Sequence, residues 1–400
     1  MRVLVWGINY APEVTGIGPC NRALCERLRA AGHDVEMVTS FPYYPEWKKR
    51  EEDRGRLWRT DRVHDIPVHR CWHFVPGRVT GWKRIVHEGT FVLMSFLRLI
   101  TLARPDVIVT VSPPLLLGAA AWLASVILGT EYVFHVQDLQ PDAALALGML
   151  KPSAFTRLLY GLEAFAYRHA LRVSGISKGM LAAFISKGVP EEKCVYFPNG
   201  IVLSEPVART GAFRARYGFA PDDFLAIYSG NIGMKQGLET LVEAAKHLRN
   251  PRAKIVICGD GAQRGAIEAT ASGISNVRLL PLLPTTEYRE MLSECDLAVI
   301  TQSAGTGHAF FPSKLLSSFG AGCPVLSVGD VESELCRALD ESGGGVNVLP
   351  DRPEELARAV DRLADAPETC ASCARAGRAW VAQFETDTVH AAFITELTKA

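Results

Sequence analysis

The feature that most constrains this chain is a regular alternation along its 400 residues. Short β-branched runs at 3–8, 35–39, 107–111, 132–136 and 173–176, then at 225–229, 254–258, 277–280, 297–301 and 325–328, are separated by longer stretches of helical periodicity. A run that is apolar throughout, rather than at every second position, predicts a strand covered on both faces, and strands that each lead into a helix predict a parallel sheet. The class is therefore α/β, doubly wound. The alternation breaks near Phe197-Pro198-Asn199-Gly200 and resumes at Phe224, after Gly218 and Pro221-Asp222-Asp223, whose turn chemistry suits a linker. Single cores rarely exceed roughly 200 residues, so two Rossmann-like domains are predicted, 1–200 and 201–380. After Val346 the chain reads as helical, and a last helix lies within 381–400.

A composition of 48% hydrophobic and 22% charged residues excludes a disordered or collagen-like chain. Lys plus Arg and Asp plus Glu are both 43, which argues against a nucleic-acid binder. The halves differ, however: 24 basic against 18 acidic residues in 1–200, and 19 against 25 in 201–400, so the first half is expected to meet something anionic. The ten cysteines are scattered, many within apolar runs such as Ile255-Val256-Ile257-Cys258, as reduced core thiols are. Cys370 and Cys373 form a lone C-x-x-C with no second pair, and no metal site is expected. No secretory signal is read at the start, and the longest apolar stretches, 91–103 and 115–128, are shorter than the roughly 20 residues of a spanning helix. The expectation is a cytoplasmic protein, or one lying on the inner face of the plasma membrane.

Ligands of doubly wound sheets bind at the carboxyl ends of the strands. After the first strand, Gly16-Ile17-Gly18 precedes a helix at about 20–31, where glycines let backbone N–H groups approach a phosphate; a plain tight turn reads equally well. In the second half Gly230-Asn231-Ile232-Gly233-Met234-Lys235 again sets glycines at a helix start, now with a lysine able to hold a diphosphate by charge, although the ATP-binding Gly-x4-Gly-Lys spacing is absent. Gly259-Asp260-Gly261 and Leu282-Leu283 follow the next two strands; turns account for either as well as a site does. Gly307-His308-Ala309-Phe310-Phe311-Pro312-Ser313-Lys314 places a second lysine near a helix start. Phe134-His135-Val136-Gln137-Asp138 sets an imidazole at a strand end, either catalytic or structural. No Asp-x-Asp occurs, so metal-diphosphate chemistry of that type loses support. Residues 45–84 carry eleven basic and six acidic residues with Trp47, Trp58, Trp72 and Trp82, a mixture suited to an anionic membrane surface or to a solvated loop.

Taken in order, Tyr10 to Gly18, Gly32-His33-Asp34-Val35, Pro42-Tyr43-Tyr44-Pro45, His135 to Asp138, Ser174 to Ser177, Pro198-Asn199-Gly200, Ser229 to Glu239 and Phe311 to Leu315 resemble a family 4 retaining glycosyltransferase of GT-B fold, nearest the branch of colanic-acid and O-antigen fucosyl and N-acetylfucosaminyl transferases. The resemblance implies two domains facing across a cleft, a donor nucleotide sugar held by the C-terminal one, an acceptor held by the N-terminal one, and a last helix that packs back on the first domain. It implies no cofactor and no metal, a UDP-sugar or else a GDP-sugar as donor, and a lipid-linked or other glycan acceptor in cell-surface polysaccharide assembly. By that analogy Gly16 and Lys235 contact the diphosphate, Lys314 lies near it, His135 touches sugar or acceptor, the 259–261 and 282–283 backbones take the base, and Ile17, Gly18, Gly230, Asn231 and Ser313 belong to the donor set. Gly307, His308, Phe311, Pro312 and Ser317 complete the donor set. His135, Lys235, Glu13 and Asp138 are the catalytic candidates, the last two as the carboxylates on these loops. Two usual glutamates of the family fall on Ala309 and Ser317, and a usual arginine on Asn231, so weaker ribose binding is expected. The alternatives are a non-catalytic GT-B nucleotide-sugar-binding protein and a GT-B sugar-nucleotide epimerase.

Overall fold

The computed structural model describes residues 1–14, 16–77, 80–146, 148, 150–305 and 313–399. By its internal contacts the chain divides into two compact units, 1–200 together with 386–400, and 201–385.

Unit 1 runs β1 (Arg2–Trp6), α1 (Gly18–Ala30), β2 (Asp34–Ser40), β3 (Trp58–Val63), β4 (Ile66–Cys71), α2 (Gly81–Leu99), β5 (Val107–Ser112), α3 (Leu116–Leu128), β6 (Glu131–Val136), α4 (Gln140–Ala146), α5 (Ala154–His169), β7 (Arg172–Gly175), α6 (Lys178–Ser186) and β8 (Cys194–Tyr196). Unit 2 runs α7 (Ala212–Tyr217), β9 (Phe224–Ser229), α8 (Leu238–Ala245), β10 (Ala253–Cys258), α9 (Arg264–Ala271), β11 (Val277–Leu280), α10 (Thr285–Glu294), β12 (Leu297–Thr301), α11 (Ser313–Gly320), β13 (Val325–Val328), α12 (Glu334–Ser342), β14 (Gly345–Val348), α13 (Pro353–Ala364) and α14 (Pro367–Val381). The chain then returns to unit 1 as α15 (Thr386–Thr398).

The unit 1 sheet has the order β3-β4-β2-β1-β5-β6-β7-β8 and is parallel except where β3 meets β4. The unit 2 sheet, β11-β10-β9-β12-β13-β14, is parallel throughout. In each sheet the order reverses at the first strand: β1 has β2 on one side and β5 on the other, and β9 has β10 and β12. Those reversals are the switch points at which doubly wound sheets take their ligands.

The central strands are apolar on both faces because helices cover both. In unit 1, Val3, Val5 and Val133 pack with Leu24 and Leu28 of α1 and with Phe393 of α15. On the other face the Tyr132 hydroxyl donates to the Ala166 carbonyl of α5 at 2.7 Å, and Phe134 meets Tyr167. The Phe393 ring stacks on Phe197 at 3.9 Å and 6°, which ties α15 to β8 and its loop. In unit 2, Ile255 and Val299 pack with Leu241 and Leu356, while Ile227 and Val256 pack with Met291, Leu315 and Phe319.

Four strands were not expected. β3 and β4 form a hairpin within 45–84, where β3 alternates exposed and half-buried residues as an edge strand does. β8 has only three residues, and β14, Gly345-Val346-Asn347-Val348, has two apolar residues and borders a stretch read as helical.

Candidate active site

The loops after β9 and β10 are held backbone against backbone. Gly230 N–H donates to the Cys258 carbonyl and Ile232 N–H to the Asp260 carbonyl, both at 2.8 Å. Gly259 has φ +149°, and a Cβ there would run into the Gly230 carbonyl oxygen, so only glycine permits the approach. Gly230, at φ +138°, faces Lys314 so closely that any side chain would displace the lysine stem.

Lys314 lies in the first turn of α11 and is only partly exposed. Its ammonium stands 4.0 Å from the centre of the Tyr228 ring and donates to the Tyr228 hydroxyl at 2.5 Å, while that hydroxyl donates to the Asn231 carbonyl at 2.6 Å. Burial, with the charge of Lys235 beside it, lowers the Lys314 pKa to about 7. Lys235 sits in the turn between β9 and α8, and its carbonyl accepts from Ser303 N–H at 2.9 Å, which joins the loops after β9 and β12 at the switch point. A partly buried ammonium beside a second lysine, on glycine-lined backbone, has the chemistry to hold a multivalent anion.

The other unit 2 candidates line the same edge. Asp260 is exposed and accepts from Gly261 N–H at 2.7 Å. Leu282 is exposed, and Leu283 packs on the core. Ser313 is exposed at the start of α11. The Ser317 hydroxyl donates to the Lys314 carbonyl at 3.0 Å and stands 3.3 Å from the Tyr288 hydroxyl. Gly307, His308, Ala309, Phe311 and Pro312 lie outside the described residues.

In unit 1 the loop after β1 is fixed by Glu13. One carboxylate oxygen accepts from Tyr43 and Tyr44 N–H at 3.0 and 2.9 Å, and the other from the Asn9 amide at 2.8 Å. Burial raises its pKa against these bonds. Glu13 thus acts as a clamp: one oxygen holds the loop after β1 to the loop after β2, and the other braces the β1 loop on itself through Asn9. Gly16, exposed at φ +67°, lies beside the Tyr44 ring, Ile17 packs on the core, and Gly18 opens α1 two residues before the expected start.

His135 stands near the end of its strand, as expected. It lies within β6, buried, with Nδ1 on the Ser174 hydroxyl at 2.9 Å and Nε2 accepting from the Gln137 amide at 2.8 Å, its ring against Phe197 and Phe393. Burial, then the neighbouring His390, lower its pKa to about 3, which favours the neutral ring. The polar groups at this strand edge are Gln137, which exchanges hydrogen bonds with Asn199 at 3.1 Å in both directions, and the partly exposed Asp138. Gln137, Asn199 and Tyr228 escaped the sequence reading: the first two stood in segments read for a histidine and a linker, and Tyr228 is one aromatic inside an apolar strand.

Much of the charge of 45–84 is answered within the segment. Arg59 pairs with Asp53 and Asp61, Arg70 with Asp61, Arg54 with Glu51, and Lys49 lies over Trp72. The hairpin is thus a folded edge of the sheet rather than a basic loop. Among the described residues no group of three or more His, Cys, Asp or Glu side chains is placed to hold a metal ion, and no helix is long and apolar enough to cross a membrane.

This architecture is the GT-B fold. Sucrose-phosphate synthase from Thermosynechococcus elongatus superposes with a TM-score of 0.76 at 18% identity, covering 100% of this chain and 98% of that one. HepE from Anabaena, solved in complex with UDP and glucose, superposes with a TM-score of 0.74 at 16% identity over 100% of both chains. Residues 15–200 match the glycosyl transferase 4-like domain and residues 210–380 the glycosyl transferases group 1 family. WcaI of Escherichia coli (strain K12), a glycosyl transferase assigned to colanic acid biosynthesis, is 33% identical over 373 residues, 90% of this chain and 91% of that protein. The chain belongs to the family 4 glycosyltransferases.

Proposed function

We propose that this glycosyltransferase moves a sugar, with retention of anomeric configuration, from a UDP-sugar to a lipid-linked glycan acceptor in cell-surface polysaccharide assembly. The observation that carries the reading is the pairing of Lys314 and Lys235 beside Gly230 at the switch point of unit 2, a place for a diphosphate. Unit 2 holds the donor and the unit 1 loops hold the acceptor. The UDP in the HepE complex and the colanic acid assignment of WcaI support the donor and pathway classes.

In the reaction the bond from the sugar anomeric carbon to the diphosphate oxygen breaks first, and the electron pair leaves with the nucleotide. The two lysines stabilise the charge that develops on the leaving oxygen, which lowers the barrier more than it tightens substrate binding. The acceptor hydroxyl attacks the same face, and its proton passes to the departing phosphate. No metal enters, because the lysines supply the positive charge. Proton NMR of the first-formed product tests the reading: a retained anomer is expected, and an inverted one refutes the mechanism. Turnover unchanged by EDTA is expected, and EDTA-sensitive turnover refutes metal independence.

A further inference from the structure

Helices α2, α3 and α5 lie side by side on one face of the unit 1 sheet, with α3 packed against both neighbours. The outward side of a packed helix is ordinarily polar. Here Trp82, Ile85 and Leu93 of α2, Leu123 and Val126 of α3 and Leu158 of α5 stand 42–66% exposed. On α2 and α3 they fall at helical spacing, so they form outward stripes rather than isolated side chains. α3 has no charged residue at all. Single exposed apolar residues need no explanation, but a patch spread over three adjacent helices marks a contact surface.

The charge on the same helices identifies the partner. α2 and α5 carry Lys83, Arg84, Arg157 and Arg168 against Glu88 and Glu163, while Arg98 of α2 turns to Thr60 and His69 of the hairpin. Glu163 is buried on Lys187 at 2.7 Å and Glu88 and Arg84 answer each other at 2.9 Å, so Lys83, Arg157 and Arg168 leave these helices with a net positive charge. Two copies of such a face repel one another, whereas an anionic lipid surface satisfies both the apolar area and the charge, with tryptophan at the boundary. We infer that unit 1 lies on an anionic membrane through the outward face of α2, α3 and α5.

The start of α2 leads from this face to the site. The His87 ring packs on Tyr43 at 4.8 Å and Trp47 at 5.1 Å, beside the loops after β1 and β2 that Glu13 clamps. On the transferase reading above, on which this one step rests, a lipid-linked acceptor reaches the unit 1 loops while its lipid stays in the bilayer.

The test is flotation of the full chain with vesicles of phosphatidylcholine alone or mixed with phosphatidylglycerol. Co-flotation with the mixed vesicles, reduced by high salt, is expected. V126D/L158D changes two exposed side chains and is expected to lower the bound fraction by about tenfold or more with an unchanged melting temperature. K49Q/R50Q, in the segment before β3, is expected to float as the unchanged chain does. Failure to float with the anionic vesicles, or undiminished flotation of V126D/L158D, overturns the inference. So does a lipid-free dimer that V126D/L158D dissociates, which would assign the face to a second copy. Flotation needs neither donor nor turnover, so its outcome is separate from that of the transferase reading.

Discussion

The Lys314 ammonium must be charged to hold a diphosphate, yet burial and Lys235 leave its pKa at about 7. Nucleotide affinity is therefore linked to proton uptake at ordinary pH. In the free protein about half of Lys314 is protonated at pH 7 and about 3% at pH 8.5, whereas a bound diphosphate holds the proton throughout, so the apparent Kd for UDP rises about 15-fold over that interval, or ~1.6 kcal/mol. The second phosphate ionisation, near ~6, is largely complete before the interval begins and leaves the ligand charge nearly constant. Isothermal titration of UDP at pH 7.0, 7.5, 8.0 and 8.5 reads the slope, and repeating it in buffers of different ionisation enthalpy counts the proton taken up. In Lys314→Met the affinity is expected to be weaker by about tenfold or more, from loss of a charge-assisted bond, and flat with pH. A flat profile in the unchanged chain, or an undiminished slope in Lys314→Met, refutes the argument.

Three further outcomes follow from the geometry. Tyr228→Phe removes the hydroxyl between Lys314 and the Asn231 carbonyl; a stability loss of about 1 kcal/mol in urea unfolding is expected, with weaker UDP binding measured alongside. Phe393→Ala empties the stack on Phe197, and a loss of about 3–5 kcal/mol is expected in the unfolding of unit 1, followed by hydrogen exchange of β6 and β8 amides. His135 has a folded pKa below its unfolded value, so the unfolded chain binds the extra proton between about 3 and 6.5, and stability falls as pH drops through that window by up to ~1.4 kcal/mol per unit. Denaturant titrations at pH 7, 6 and 5 are expected to show this slope, and its persistence in His135→Gln would assign it elsewhere.

Most of the ten strands foreseen are covered on both faces, and burial on both sides writes a continuous apolar run into the chain. β3 was hidden because its sequence, Trp58-Arg59-Thr60-Asp61-Arg62-Val63, is that of an edge, β4 because Pro67, His69 and Arg70 interrupt its apolar run, β8 because it has three residues, and β14 because Gly345 and Asn347 alternate with its two valines. The lysines were legible, since glycines and a cation before a helix have a chemical meaning without a structure. Tyr228 was not, because an aromatic strand residue reads as core until its hydroxyl is found between two partners. His135 stands at the strand end foreseen for it, but its two ring partners, Ser174 and Gln137, could not be read from the sequence because one comes from the neighbouring strand and the other from the rim. The apolar face of α2, α3 and α5 was invisible for a related reason, since periodicity cannot tell which of two apolar sides of a helix packs inward.

Unit 1 is written in two pieces of sequence, with 201–385 between them. Synthesis is vectorial, so the segment that buries Phe393 leaves the ribosome only after all of unit 2. At the ~5–20 residues made each second, the first 200 residues wait on the order of ten to forty seconds for their closing helix, while unit 2, continuous in sequence, has all of its strands available first. During that interval the apolar surface around Val133 and Phe197 is uncovered. The nascent first half is thus the part of this protein with most need of a chaperone, and a ribosome stalled before α15 would release a chain whose second domain can fold and whose first cannot close.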